Sequence, residues 1–222
     1  MAAFYEMVST ADEHRRHPQA PPTSFLAARA TKQPDLAIAL IDLLEHEDAV
    51  VAAAAPGSLS GGYLGGYYTD LLVTVARMHD PRSLNALLPG LGISGVIRTT
   101  VSGFGEAAVA PVVHTVRSTD RDVRLGAVLT MRQLLADRAI RPLSDGAVRA
   151  LRDALLGIVA GREDASIRVS AVEALMPLSD EGIRAQMEHI VATDTTTGYA
   201  PPGQPTPHPV RAAAKKWLAR HP

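Results

Sequence analysis

One pattern, which recurs three times in the C-terminal half, constrains the fold of this chain more than any other feature. In each copy a β-branched residue precedes an arginine, an alanine follows three residues later, and leucine or methionine follows four residues after the alanine. The arginines are Arg124, Arg168 and Arg211, which places the copies 44 residues (124 to 168) and 43 residues (168 to 211) apart. A period of about 20 to 50 residues is typical of helical repeat proteins, in which each repeat covers the apolar face of its neighbour.

The spacing within each copy predicts an α-helix with one apolar face. The β-branched residue, the alanine and the larger apolar residue are four residues apart, so they lie on the same side of a helix. Alanine allows a neighbouring helix to approach closely, and the larger side chain fills the space beside it. The arginine lies next to this face, where its stem can pack and its guanidinium can reach carboxylates or helix ends of the adjacent unit. A weaker copy begins at Ile97-Arg98.

Apolar residues recur at helical spacing along most of the chain, and breakers such as Asp80-Pro81 separate the segments. The stripe at Leu36, Leu40 and Leu44 is one example, and it follows Pro34, which suits the first turn of a helix. Aromatic residues make up only 4% of the chain, so its core consists of small aliphatic side chains, which favour close helix packing. Apolar and polar residues rarely alternate one by one, as they would along a half-buried β-strand. We therefore predict an all-α fold.

The three copies resemble the first helix of HEAT-like (PBS-lyase-type) repeats. The resemblance rests on three segments in the same register: Asp122-Val123-Arg124-x-x-Ala127, Ile167-Arg168 and Val210-Arg211. The family's aspartate two residues before the arginine is present as Asp122, but Ser166 and Pro209 replace it in the later copies. A continuous aspartate–arginine ladder is therefore not expected. Asp80-Pro81-Arg82-Ser83-Leu84 resembles the inter-repeat turn and second helix of the same family.

This resemblance covers about residues 63 to 220, and it implies an armadillo-like α-solenoid of about five or six stacked helical hairpins. We expect residues 61–222 to form the repeat array and residues 1–60 to form a divergent N-terminal helical cap. Proteins of such families mostly act by offering an extended surface to a partner. The resemblance therefore implies a non-catalytic scaffold or adaptor that binds a protein or peptide.

Composition excludes several classes of site. The chain has no cysteine, so it contains no disulfide, zinc knuckle, iron–sulfur site or thiol nucleophile. Lys and Arg number 22 against 23 Asp and Glu, a balance that does not indicate a nucleic-acid partner. The first residues lack the pattern of a signal peptide, and no apolar run approaches the roughly 20 residues of a membrane span. We expect a soluble protein without a membrane span, in the cytoplasm rather than exported.

Motifs for cofactors and metals have simpler structural interpretations. Gly103-Phe104-Gly105-Glu106-Ala107-Ala108 matches a dinucleotide fingerprint, which would require Val96–Val101 to be a strand and a parallel sheet to follow. Because helical spacing follows instead, we interpret the segment as a tight turn between two helices. His14 and His17 offer at most half a metal site. The sequence therefore predicts no catalytic, cofactor-binding or metal-ligating residues.

Two groups of residues are candidates for contact with a partner. Tyr63, Tyr67 and Tyr68 lie in a glycine-rich stretch, and tyrosine is common at interfaces because it gives a large contact area at low entropic cost. The alternative is that these tyrosines cover the junction between the N-terminal cap and the first regular repeat. The second group is Arg124, Arg168 and Arg211, which repeat in register and could line one face.

Two other functions remain open beside protein or peptide binding. One is nucleic-acid binding, or a DNA glycosylase with HEAT-like repeats, which would need a basic groove and aromatic clamps. Trp217 follows Lys215 and Lys216, but its place in the repeat pattern favours a capping contact over base stacking. The other is a lyase or chaperone for a chromophore, which would need a wide apolar pocket. The oligomeric state is left open.

Overall fold

The structure, a computed structural model of the chain, describes residues 22–53, 64–198 and 207–222. Within these ranges the regular elements are α-helices and short 3-10 helices, and no β-strand occurs, which confirms the predicted all-α fold. The α-helices are α1 (Pro22–Ala30), α2 (Pro34–Ala53), α3 (Leu64–Met78), α4 (Leu84–Leu87), α5 (Gly95–Gly103), α6 (Val109–Thr115), α7 (Arg121–Ala136), α8 (Asp145–Ala160), α9 (Ala165–Ala174), α10 (Glu181–Thr193) and α11 (Pro209–Arg220). Short 3-10 helices lie at Pro81–Ser83, Leu88–Gly92, Gly105–Ala108 and Asp137–Ala139.

Short polar side chains begin several helices. Ser144 accepts a hydrogen bond from the backbone of Ala147 at the start of α8, and Asp180 accepts one from Ile183 at the start of α10. Asp164 accepts from two residues in the first turn of α9. These oxygens satisfy backbone N–H groups that have no partner within the helix. Helix α11 begins at Pro209, and proline suits the first turn of a helix because the N–H that it lacks would have no partner there.

One compact unit comprises Met1–Phe104 and Asp120–Val123. Within it α3 packs against α1, α2 and α5. Its core contains the fully buried side chains of Leu40, Leu44 and Leu71. The stripe predicted on α2 therefore faces the core. The predicted boundary between residues 60 and 61 lies outside the described residues.

The backbone of this unit passes close to itself at Gly92. A Cβ atom on Gly92 would lie 2.6 Å from the carbonyl carbon of Asp122 and 2.8 Å from its oxygen. The Asp122 backbone is held in place, because its N–H and that of Val123 donate to the Asp120 carboxylate at 2.7 and 3.1 Å. Only a residue without a side chain fits at this point.

The second unit comprises Gly105–Thr119 and Arg124–Pro222. Helix α8 packs against α6 and α9, and α11 packs against α9 and α10. Most members of the repeated pattern are buried here: Ala127 and Met131 in the first copy, Ile167, Ala171 and Leu175 in the second, and Val210 and Ala214 in the third. The apolar face that the pattern predicted is therefore confirmed, with Leu218 half-buried at its end.

Trp217 lies in the interior of this unit. Its side chain is 1% exposed, and its indole N–H donates to the carbonyl oxygen of Leu175 at 3.1 Å. The ring packs against His221 with the centroids 4.4 Å apart. This is a packing contact between helices α11 and α9, as the repeat pattern favoured, and it leaves the indole unavailable for stacking on a base.

The segment that matches a dinucleotide fingerprint is a turn between helices. Val96–Val101 lies inside α5, so the strand that the fingerprint requires is absent from this described segment. Gly105 adopts a φ of 60°, which glycine tolerates best, and the chain continues into the 3-10 helix Gly105–Ala108. The interpretation as a tight turn is confirmed.

His79 ends α3 in a conformation that favours glycine. Its φ is 53°, the left-handed region, and its N–H donates to the carbonyl oxygen of Ala76 at 3.2 Å. Replacing His79 with glycine should raise the free energy of unfolding by about 0.5–1 kcal/mol, because glycine carries no Cβ penalty there. Thermal melting followed by circular dichroism measures the effect. The matched control is His46→Gly within α2, where helix propensity predicts a loss of similar size; destabilisation by both changes would contradict the assignment.

Candidate functional site

The arginines of the repeated pattern bind backbone carbonyls near the ends of preceding helices. A guanidinium nitrogen of Arg98 donates to Leu91 O at 2.8 Å, and Arg124 donates to the carbonyls of residues 118 and 119 at 3.0 and 3.1 Å. Arg168 Nε donates to Val159 O at 3.0 Å, in the last turn of α8. These contacts satisfy carbonyls that lack a partner at a helix end. The predicted reach toward helix ends is confirmed for these copies.

Two of the arginines also reach a carboxylate further along the chain. Arg124 Nε lies 3.3 Å from Glu163 Oε2, and Arg168 forms an ion pair with Asp194. Arg168 also donates to the Thr196 hydroxyl at 2.7 Å. The side chains of Arg168 and Asp194 are only 10% and 6% exposed. Arg168 is therefore an interior residue whose donors are used within the chain, which favours a structural role, and its contact with a partner stays a prediction.

Arg211 differs from its counterparts although it occupies the same place in the pattern. Its Nε atom is buried, and among the described residues it has no hydrogen-bond partner. The residue as a whole is half-buried on α11. Unsatisfied buried polar groups are uncommon in folded proteins, since each costs roughly 1–3 kcal/mol. Another molecule cannot reach this buried Nε, and the partner contact of Arg211 stays a prediction.

The three predicted tyrosines differ in where they lie in the structure. Tyr68 is 2% exposed and lies in the core of the first unit, so its side chain offers no surface to a partner. This burial favours the alternative of a packing role for Tyr68. Tyr67 lies in α3, and Tyr63 lies outside the described residues.

An arginine-lined groove of about 260 Å³ lies in the second unit, and the sequence did not reveal it. We call it the arginine groove, and its lining residues are Arg138, Val148, Arg149, Arg152, Pro177, Leu178, Ser179 and Asp180. The residues come from three places: the 3-10 helix after α7, one face of α8, and the turn between α9 and α10. The i, i+3 spacing of Arg149 and Arg152 predicts a shared helix face, but nothing in the sequence places Arg138 or the turn opposite it.

The charges in the arginine groove are only partly paired. Arg152 binds Asp153 at 2.8 Å and Asp180 at 3.3 Å, whereas Arg138 donates to the carbonyl oxygen of Pro177 at 2.9 Å. Among the described residues, neither Arg138 nor Arg149 has a carboxylate partner. The groove therefore presents two arginines with free N–H donors beside one that is neutralised.

A second cleft, of about 480 Å³, is lined by polar side chains that include Arg162, Gln186, His189 and Thr193. The Thr193 hydroxyl donates to the backbone carbonyl of His189 at 2.8 Å, and its oxygen lies 3.3 Å from His189 Nε2. Because the hydroxyl proton is already donated to the carbonyl, Nε2 can only donate a proton to this oxygen. In this arrangement the histidine does not activate Thr193 as a nucleophile.

Within the described ranges no group of three or more His, Asp and Glu side chains could hold a metal ion. The same ranges contain no helix long and apolar enough to cross a bilayer. In the comparisons with known proteins, the chain matches no protein-family model, no curated protein and no solved structure. Its function therefore has to be inferred from the contacts of its own residues.

Proposed function

We propose that the chain is a HEAT-like helical repeat protein that binds a protein or peptide without catalysing a reaction. An acidic segment of the partner would occupy the arginine groove. The observation that carries this proposal is the placement of Arg138 and Arg149, which lack a carboxylate partner among the described residues and line one groove. The recurrence of arginine contacts to helix ends and carboxylates supports the repeat interpretation, including an α-solenoid arrangement.

The arginine groove suits a carboxylate that is presented by a short peptide. Arginine offers planar, paired N–H donors that match the two oxygens of a carboxylate. The bond from Arg138 to Pro177 O holds one guanidinium in place before a ligand arrives, so less side-chain entropy is lost on binding. The half-buried Val148 adds apolar surface beside the charges, whereas Leu178 is buried beneath them. An Asp or Glu next to an apolar residue fits these features.

Charge placement favours a peptide over a nucleic acid. Asp180 lies inside the groove, and Asp153 lies beside Arg152 at 2.8 Å, so carboxylates interrupt the positive surface. Duplex DNA presents one negative charge about every 1.7 Å along its axis, which a surface with interspersed carboxylates would repel. A peptide can place one or two carboxylates opposite Arg138 and Arg149 and avoid Asp180.

Selection from a displayed library of random peptides on the full chain tests the proposal. We expect enrichment of peptides that contain Asp or Glu. The double change Arg138→Glu and Arg149→Glu should lower the affinity of the chain for a selected peptide by at least about tenfold. The matched control is Arg117→Glu with Arg162→Glu, which makes the same change in net charge at exposed arginines outside the groove. Equal losses in both variants, or selected peptides without acidic residues, would contradict the proposal. If the unchanged chain shifts the mobility of DNA or RNA at low salt and the Arg138→Glu, Arg149→Glu variant does not, the groove binds nucleic acid instead of a peptide.

A further inference from the structure

Helix α2 carries an exposed acidic face. Its Asp, Glu, Lys and Arg residues are all acidic: Asp35, Asp42, Glu45, Glu47 and Asp48. Asp35, Ile38, Asp42 and Glu45 are spaced three or four residues apart, so they share one side of the helix. All four are exposed, and Ile38, with 41% of its surface accessible, is among the most exposed large apolar residues described. None of the three acids has an ion pair in the part of the chain that the structure describes.

Helix α11 carries the opposite charge. Its charged residues are all basic: Arg211, Lys215, Lys216 and Arg220. Lys215, Lys216 and Arg220 are exposed, and exposed alanines at 212 and 219 lie between them. Among the described residues none of the four has a carboxylate partner. A helix with this face attracts an acidic surface that has a small apolar component.

In the register of the repeat, α11 lacks the carboxylate contact that the two earlier arginines make. Arg124 binds Glu163 and Arg168 binds Asp194, each from a later segment of the chain. Arg211 occupies the same place in the pattern, yet its buried Nε has no acceptor among the described residues. Arg211 has no carboxylate partner among the described residues, so the positive charge of α11 is not neutralised within this part of the chain.

We infer that α11 of one copy of this chain docks on the acidic face of α2 of a second copy. The two helix faces have complementary charges, because one chain carries both an acidic helix face and a basic helix face without ion pairs among the described residues. Because the two faces differ, the contact is heterologous, so it leads to rings or open chains of copies rather than to a twofold dimer. The inference goes beyond the proposed function, since it needs no partner other than this chain.

Two helix faces of this size bury less surface than a stable dimer needs, so we expect weak association that depends on concentration. Exposed charges also interact less as salt increases, because the screening length falls from roughly 14 Å at about 50 mM to roughly 4 Å at about 500 mM salt. Sedimentation velocity of the full chain over a range of concentrations at both salt levels measures this association. The weight-average mass should rise with concentration at low salt and stay near 23.5 kDa at high salt.

Charge reversal on each helix distinguishes the contact between α11 and α2 from other modes of association. Asp42→Lys with Glu45→Lys, and separately Lys215→Glu with Lys216→Glu, should each weaken association at low salt by at least about tenfold. An equimolar mixture of the two variants should recover association, because each altered face then meets a face of opposite charge. Circular dichroism and Trp217 fluorescence verify that both variants are folded.

The control with Arg117→Glu and Arg162→Glu should associate like the unchanged chain, although its net charge shifts by the same amount as in the lysine variant. A monomeric unchanged chain at low salt, association that survives both charge reversals, or a mixture that stays monomeric would each overturn the inference. None of these outcomes bears on peptide binding in the arginine groove, so the two proposals can fail independently.

Discussion

Gly92→Ala should lower the free energy of unfolding by about 2–4 kcal/mol, one of the two largest effects that we expect from a single substitution. The new Cβ would lie 2.6 Å from the carbonyl carbon of Asp122 and 2.9 Å from the nitrogen of Val123. Both neighbours are backbone atoms in a capped first turn of α7, so the clash cannot be relieved by turning a side chain. Urea denaturation followed by far-UV circular dichroism measures the loss.

The matched control is Gly95→Ala, three residues away in the same unit. A Cβ on Gly95 would have its nearest contact at 3.6 Å, with a guanidinium nitrogen of Arg98. Because Gly95 is the first residue of α5, alanine should be neutral or stabilise the unit by up to about 1 kcal/mol. Equal effects at Gly92 and Gly95 would show that the close backbone approach does not determine stability.

Asp194→Asn should lower the free energy of unfolding of the second unit by about 3–5 kcal/mol, the typical cost of breaking a buried ion pair. Asparagine retains an oxygen for the Thr196 N–H, which donates to Asp194 Oδ1 at 2.9 Å. It removes the negative charge that balances Arg168, whose side chain is 10% exposed. Urea denaturation followed by Trp217 fluorescence reports on this unit, since Trp217 is the only tryptophan and is buried in it.

The same residue should make stability depend on pH. Burial by itself raises the pKa of Asp194, but hydrogen bonds from Thr196 and Arg168 outweigh it and hold the pKa below its ordinary value. The folded chain therefore releases this proton more readily than the unfolded chain, whose aspartates have a pKa of about 3.9. The stabilisation is fully present above that pH and is lost as the pH falls through the lower folded pKa. The Asp194→Asn variant should therefore lack this loss of stability at acid pH.

The control for both measurements is Glu173→Gln. Glu173 binds Arg132 at 2.9 Å in the same unit, but the two side chains are 38% and 50% exposed. An exposed pair contributes less than about 1 kcal/mol, because solvent already stabilises both charges. A loss at Asp194 no larger than the loss at Glu173 would contradict the role that we assign to the buried pair.

The helices could be predicted because their signals are local. Apolar spacing, the side chains of Ser144 and Asp180, and Pro209 at a helix start act within one or two turns of chain, so the sequence contains the whole interaction. The contact of Trp217 with the repeat face followed from the same spacing. For Tyr68 the residue type suggests an interface, but the burial of its side chain depends on which helices pack around it, and the sequence does not contain that information.

The arginines show most clearly where sequence reasoning ends. Arg168 and Arg211 stand in the same local pattern, and their residue type predicts guanidinium contacts with helix ends and carboxylates. Only the tertiary structure brings Asp194 to Arg168 and leaves Nε of Arg211 buried without an acceptor among the described residues. The arginine groove is a similar case, since its three contributing segments are separated along the chain.

By itself, the sequence determined that this chain is helical and which face of the repeated helices is apolar. These properties depend on backbone hydrogen bonding and side-chain spacing over a few residues. The tertiary structure alone decided which charges are neutralised and which stay available to another molecule. That outcome depends on distances between residues about 10 to 45 positions apart, and Coulomb interactions and burial act through space rather than along the chain.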